Sequence, residues 1–179
     1  MRFLTFSAFV PLAMIHFACY AQPEVILRDK DVTESTLIEA LTPEPKFRTR
    51  SIQVSPSGDH AAVKKAAAAS MLITFETASA ELKPQAKKML DTLGRAMTSD
   101  KLSTFSFAIE GHADPRGSEQ LNLELSQKRA ESVVGYLTEN HHIDASRLRP
   151  IGKGQSELLN VAHPEAPENR RVTVKTLVN

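Results

Sequence analysis

From residue 71 onward, apolar and polar positions switch between a period of two and a period of 3.6, and each switch predicts an element. MLITF (71–75) is a short apolar run that reads as a strand. In KPQAKKMLDTLGRAM (83–97), Ala86, Met89, Leu90, Leu93 and Met97 recur at helical spacing, with Pro84 where a first turn tolerates a missing N–H. STFSFAIEG (103–111) alternates Phe105, Phe107 and Ile109 with Thr104, Ser106, Ala108 and Glu110, the pattern of a half-buried strand. Ser118 to about Asn140 predicts a second helix whose apolar stripe is Leu123, Ala130, Val133, Val134 and Leu137. RLRPIGKG (147–154) and RVTVKTLV (171–178) predict two more strands, separated by a loop containing HPEAPENRR.

The order is β-α-β-α-β-β. Two helices of this length cover one face of such a sheet, so the fold expected for 71–179 is a two-layer α/β (α+β) sandwich with a mixed sheet and both helices on one face. Thr, Ser and Lys on the opposite strand positions suit a solvated second face.

The pattern upstream is weaker. DVTESTLIEAL (31–41) predicts a short helix, with Asp31 and Glu34 at capping-box spacing and Leu37, Ile38 and Leu41 on one side. Two prolines in TPEPK end it, FRTRSIQV (47–54) alternates as a short strand would, and SPSGDHAAVKKAAAAS (55–70) reads as a linker. Residues 22–70 therefore form an N-terminal arm, either a flexible tether or a docking segment. Residues 1–21, MRFLTFSAFVPLAMIHFACYA, carry an early Arg, an apolar middle too short to span a bilayer and small residues at the end, the pattern of a secretory signal peptide cleaved after Ala21. Acylation of Cys19 is the alternative processing, with His16 standing where such signals usually have Leu.

Composition adds limits more than direction. Charged residues are 24% of the 179 and the net charge is +1, so nothing argues for a nucleic-acid surface. The core must be mostly aliphatic, because Trp is absent and aromatics are 6%.

The chemistry concentrates in GHADPRGSEQLNLELSQKRA (111–130). Asp114 follows a predicted strand in a glycine-flanked turn. Asn122 and Arg129 lie two helical turns apart on one face, with Leu125 and Ser126 between them, and the predicted apolar stripe lies largely elsewhere. A carboxylate, an amide and a guanidinium fork converging on one space suit a zwitterion: the carboxylate takes an ammonium and the fork takes a carboxylate in bidentate geometry. The same residues also fit an ordinary helix-capping salt bridge. Two other readings compete. Glu110, Asp114, Glu119 and Glu124 could supply a carboxylate pair for glycan cleavage, and His112 with His141 and His142 could bind a metal. Carboxylates at this density are usual on helix surfaces, adjacent histidines at a helix end are usually solvated, and neither an enzyme nor a metal protein is expected.

The spaced positions Gly111, His112, Ala113, Asp114, Gly117, Asn122, Leu125, Ser126, Arg129 and Ala130 match a G-H-[TA]-D…G…N-x-x-L-S-x-x-R-A pattern, ENRRV (168–172) matches a closing N-R-R-V element, and ITFETASAEL (73–82) a first strand and turn. Over 71–178 the chain thus resembles the OmpA-like C-terminal domain, the peptidoglycan-binding module of outer-membrane proteins, peptidoglycan-associated lipoproteins and flagellar stator proteins. The resemblance implies noncovalent binding of meso-diaminopimelate in the stem peptide. Asp114 would accept from its ammonium and Arg129 would clamp the carboxylate on the same carbon. Asn122 and Leu125 would be further contacts, with Arg170 at the pocket edge. Lysine-type stems lack the carboxylate that Arg129 needs. Leu121 stands where the family often has Tyr or Phe, and Ala78 where a polar residue is common. No cofactor is implied. The expected partner is peptidoglycan, in the periplasm or at the outer membrane, with a possible envelope protein held through residues 22–56. The site is expected to lie outside the core, so that its substitutions cost little stability.

Overall fold

The computed structural model describes residues 25–28, 30–43, 67–73, 75 and 79–178. The predicted signal peptide with Cys19, the strand at 47–54, most of the linker and Ala78 lie outside the described residues. Five strands form one sheet: β1 (Val25–Leu27), β2 (Ala68–Met71), β3 (Ser106–His112), β4 (Leu148–Gly154) and β5 (Val172–Leu177). Three helices accompany them: α1 (Glu34–Leu41), α2 (Pro84–Thr98) and α3 (Glu119–His141). The strand order is β1-β2-β5-β3-β4, with β1–β2 and β3–β4 parallel and the two pairs of β5 antiparallel. This is the mixed, two-layer sheet expected from the pattern.

The core lies between the sheet and the helices. Ala69, Met71, Phe107, Ile109, Val172 and Val174 point from alternate strand positions into a cluster with Leu90, Leu93, Met97, Val133 and Leu137 from α2 and α3. Pro84 occupies the first turn of α2, as its spacing predicts. Arg147 closes the far end of that helix: its guanidinium donates to the carbonyls of Met97 (3.1 Å), Leu102 (2.8 Å) and Phe105 (2.9 Å). The turn at 102–105 that these bonds hold delays the start of β3 to Ser106, so Phe105 precedes the strand it was expected to join.

Three features differ from the sequence reading. First, the strand predicted at 71–75 runs instead over 68–71, inside the Ala-rich stretch read as linker. Small side chains fit there because Ala69 and Met71 lie beneath the helices, while Ser70 bonds Thr173 across the sheet at 2.7 Å. Second, residues 25–43 do not form a tether. β1 extends the sheet at the β2 edge, Leu37 and Leu41 are fully buried in the main core, and Thr176 Oγ1 donates to the Leu41 carbonyl at 2.6 Å. A boundary at residue 70 falls within β2. Helix α1 is capped two residues later than expected, by Thr33, whose hydroxyl accepts from Thr36 N–H while Thr36 Oγ1 accepts from Thr33 N–H. Third, the centre of the second sheet face is buried rather than solvated: Ser70, Glu110, His112 and Thr173 are all buried there.

Truncating Leu37 tests the integration of α1. Leu37→Ala is expected to destabilise the whole protein by about 2–5 kcal/mol, the cost of a fully buried leucine that leaves a cavity. Chemical denaturation reads it, and an unchanged midpoint would return residues 25–43 to the role of a tether.

Candidate functional site

β3 ends at His112, and the chain turns through Ala113–Ser118 into α3. Two backbone bonds hold the exit: His112 N–H donates to Arg171 O (2.9 Å) and Ala113 N–H to Gly154 O (2.7 Å). Gly117 turns the loop with φ of 103°, in the left-handed region that favours glycine. Ser118 then caps α3, its Oγ accepting from Leu121 N–H at 3.3 Å. Gly111 lets the helix lie directly on the strand, since a Cβ there would collide with the Ser126 carbonyl oxygen.

The buried face of α3 runs Asn122, Ser126, Arg129, Val133 and Leu137, one continuous stripe at i+3/i+4 spacing. Its C-terminal half is apolar and enters the core; its N-terminal half is polar and faces the end of the sheet. The expectation that the apolar stripe lies apart from Asn122 and Arg129 is therefore corrected, and so is the assignment of Leu123, which is 49% exposed. Ser126 serves packing: its Oγ donates to Leu123 O (2.8 Å) and accepts from Gly154 N–H (2.8 Å), joining α3 to the end of β4. Leu125, proposed as a contact, is half-buried on the same helix.

Asp114, Asn122, Arg129 and Arg170 meet at this place. Asn122 Nδ2 donates to the Asp114 carbonyl (3.0 Å) and to Gln155 Oε1 (2.7 Å), tying the loop after β3 to the loop after β4. Asp114 is 5% exposed. Its Oδ2 accepts from Arg170 Nη1 (2.7 Å) and Arg116 Nη2 (2.7 Å), and its Oδ1 from the Arg116 backbone N–H (3.2 Å) and Nε (3.1 Å). Burial alone raises a carboxyl's pKa, but the bonds from Arg116 and Arg170 outweigh it and hold Asp114 at about 2. Arg129 is anchored by one nitrogen, Nε, to Ser79 O at 3.1 Å, and its guanidinium carbon lies 4.9 Å from the centre of the Phe75 ring. Burial and the neighbouring Arg170 lower its pKa, and Asp114 opposes them. Among the described residues, no ion pair joins Asp114 to Arg129, and the two terminal nitrogens of Arg129 make no hydrogen bond.

The site is thus more deeply built into the fold than the sequence suggests, and Asn122 in particular has a structural duty. Arg116, Gln155, Ser79 and Phe75 are participants that sequence reasoning missed. Only Arg116 had a visible signal, two residues beyond an acidic side chain in a glycine turn.

The competing readings come apart in space. Glu119 and Glu124 are exposed on α3, while Glu110 lies on the second sheet face between Lys153 (3.7 Å) and Lys175. His141 Nε2 pairs with Asp91 (3.0 Å), which also accepts from Tyr136 (2.8 Å), and His142 ends α3 with a left-handed backbone. His112 lies apart from both, where burial, reinforced by Arg171, Lys175 and Lys153, holds its imidazole down to about 3. Glu110, His112 and Glu157 do bring ligand-type atoms within 4.8 Å of one another. Lys153 and Lys175 already neutralise both of those carboxylates.

Sheet order and layering define a two-layer α/β sandwich with a charged cluster at the end of β3. Comparison with known proteins agrees: the OmpA family model matches residues 74–172, and the chain belongs to that family. It is 32% identical to the probable lipoprotein YiaD of Escherichia coli over 72% of this chain and 57% of the relative. It is also 32% identical to the peptidoglycan-associated lipoprotein of Pseudomonas aeruginosa over 56% of this chain and 59% of that one. The chain thus spans under two thirds of the length of these relatives. Among solved structures, the peptidoglycan-associated lipoprotein of Burkholderia pseudomallei superposes with a TM-score of 0.51 at 24% identity, over 60% of this chain and 89% of the other. The cell-wall anchor of the type VI secretion system of Pseudomonas aeruginosa gives 0.52 at 21%, over 65% and 85%. Both share the fold.

Proposed function

We propose that this protein is a non-catalytic module that binds peptidoglycan by gripping the ammonium–carboxylate head of diaminopimelate, and so helps tie the outer membrane or an envelope complex to the wall. The observation that carries this reading is the state of Arg129. Its Nε is fixed to a backbone carbonyl, its terminal nitrogens have no acceptor among the described residues, and Asp114 stands nearby. These nitrogens are not among the sealed polar atoms of the core but open to the site, where a ligand carboxylate gives the fork a charge-assisted bidentate partner. Asp114 then accepts the ammonium on the same carbon. Lysine offers the ammonium alone and leaves the fork unpaired, which is the basis of discrimination. The names of relatives point the same way: one is a peptidoglycan-associated lipoprotein and one neighbour a cell-wall anchor.

A periplasmic or outer-membrane location follows, with export through residues 1–21. Processing at Cys19 in place of Ala21 would give an acylated, membrane-held chain, and the mass of the protein from its native envelope separates the two. The alternative in which residues 22–56 hold an envelope protein loses Leu37 and Leu41 as contacts, because both are committed to the core.

The test is co-sedimentation with sacculi of the diaminopimelate type. Retention, and its release by free meso-diaminopimelate, is expected. Because Asp114 is held at about 2, retention should persist through the pH range where ordinary carboxyls titrate, about 4, and fail as pH falls through about 2. No retention at neutral pH would end the proposal, and loss already near pH 4 would remove Asp114 from it.

A further inference from the structure

The acceptor that the ligand's ammonium needs is already filled by the protein's own cation. Asp114 receives two side-chain nitrogens of Arg116, Nε at 3.1 and 3.2 Å and Nη2 at 2.7 Å, in the fork geometry of a bidentate pair. Arg170 Nη1 and the Arg116 backbone N–H take the remaining positions, so the carboxylate's acceptor directions are occupied.

We infer that Arg116 is an internal stand-in for the ligand's ammonium, and that it must leave Asp114 before the head group is bound. This rests on the zwitterion reading above. Of the two arginines on Asp114, Arg116 is the one free to go. Its side chain is 58% exposed, against 38% for Arg170, so it has the more open path into solvent. Arg170 emerges from a turn pinned by the fully buried Asn169. When the Arg116 side chain swings out, its backbone N–H still holds Oδ1 and keeps the carboxylate aimed.

The consequence is quantitative. Displacing Arg116 costs the same for every ligand that uses Asp114, so it lowers affinity without changing the ratio between ligands. The device keeps the single domain's grip weak and exchangeable, and it keeps Asp114 paired when no ligand is present.

Calorimetric titration with meso-diaminopimelate as probe tests this on wild type, Arg116→Gln and Asp114→Ala. Arg116→Gln is expected to bind about two- to fivefold more tightly, the scale set by an exposed ion pair. Its thermal unfolding should fall only slightly, on the small scale of the exposed ion pair it loses. The Asp114 carboxyl, about 2 in the wild type, should titrate at higher pH. Asp114→Ala should not bind. If Asp114→Ala is inactive while Arg116→Gln binds equally or more weakly, Arg116 is a ligand contact or a bystander and the inference is wrong. If Asp114→Ala binds like wild type, or wild type does not bind at all, the zwitterion reading fails and the inference goes with it.

Discussion

Replacing Arg129 by alanine is expected to remove retention on diaminopimelate-type sacculi, a loss on the order of 2–5 kcal/mol, the scale for truncating one partner of a desolvated charge pair. The size follows from its position. Arg129 is only 9% exposed as a residue, so its charge meets a carboxylate in a medium where water competes less well than in bulk. Folding should change far less. The substitution loses one hydrogen bond to Ser79 and a stacking contact with Phe75, but it also relieves the burial of a charge. Arg129→Lys sharpens the test: an ammonium retains the charge but cannot present two parallel donors while staying tied to Ser79, so it should recover only part of the binding. Binding assays with thermal unfolding run in parallel separate the effects. Full binding by Arg129→Lys would reduce the arginine to a point charge.

The second large effect lies at Asn169 and is chiefly one of stability. This fully buried side chain makes five hydrogen bonds. Its Oδ1 accepts from Leu159 N–H (2.8 Å) and Asn160 N–H (2.9 Å). Its Nδ2 donates to the carbonyls of Asn160 (3.1 Å), His163 (3.2 Å) and Pro164 (2.8 Å). One amide thus replaces regular structure over the loop between β4 and β5. Asn169→Ala leaves part-buried backbone groups without their partner and a void where the amide sat, and is expected to destabilise by about 2–4 kcal/mol. Because Arg170 follows directly in the chain, binding should weaken as well. Denaturant unfolding and sacculus retention on the same sample measure both. A variant as stable as wild type would show that the loop is held by other contacts.

Legibility in the sequence tracks which physical signal each residue carries. Helices α2 and α3 and strands β3 to β5 are readable within a few residues, because burial of one face writes a period into the sequence. β2 is not, since Ala-Ala-Ser-Met is too short and too small-sided to show a clear apolar alternation. The packing role of Leu37 and Leu41 is long-range, and a short amphipathic helix looks the same whether it docks or drifts. At the site, Asp114, Asn122 and Arg129 stand out as polar side chains of matched chemistry with spacing that brings them together. That they share a stripe with Val133 and Leu137 was hidden, because polar residues on a buried face read as an exposed one. Ser79 and Gln155 act through a carbonyl and an amide that nothing in the local sequence marks. Asn169 appears in the sequence only as part of a motif, and its five bonds belong to the folded loop.

The claim on which this account turns is that Asp114 and Arg129 hold the two charges of one amino-acid head group. Titrating the isotope-labelled wild-type protein with meso-diaminopimelate, and separately with lysine amide, while following the Nε–H resonances of its arginines, examines it most directly. The account predicts that diaminopimelate binds and shifts the Arg129 resonance, whereas lysine amide, with no carboxylate to offer, leaves that resonance in place at the same concentration. Equal binding of the two ligands, or binding of diaminopimelate with no response from Arg129, would contradict it.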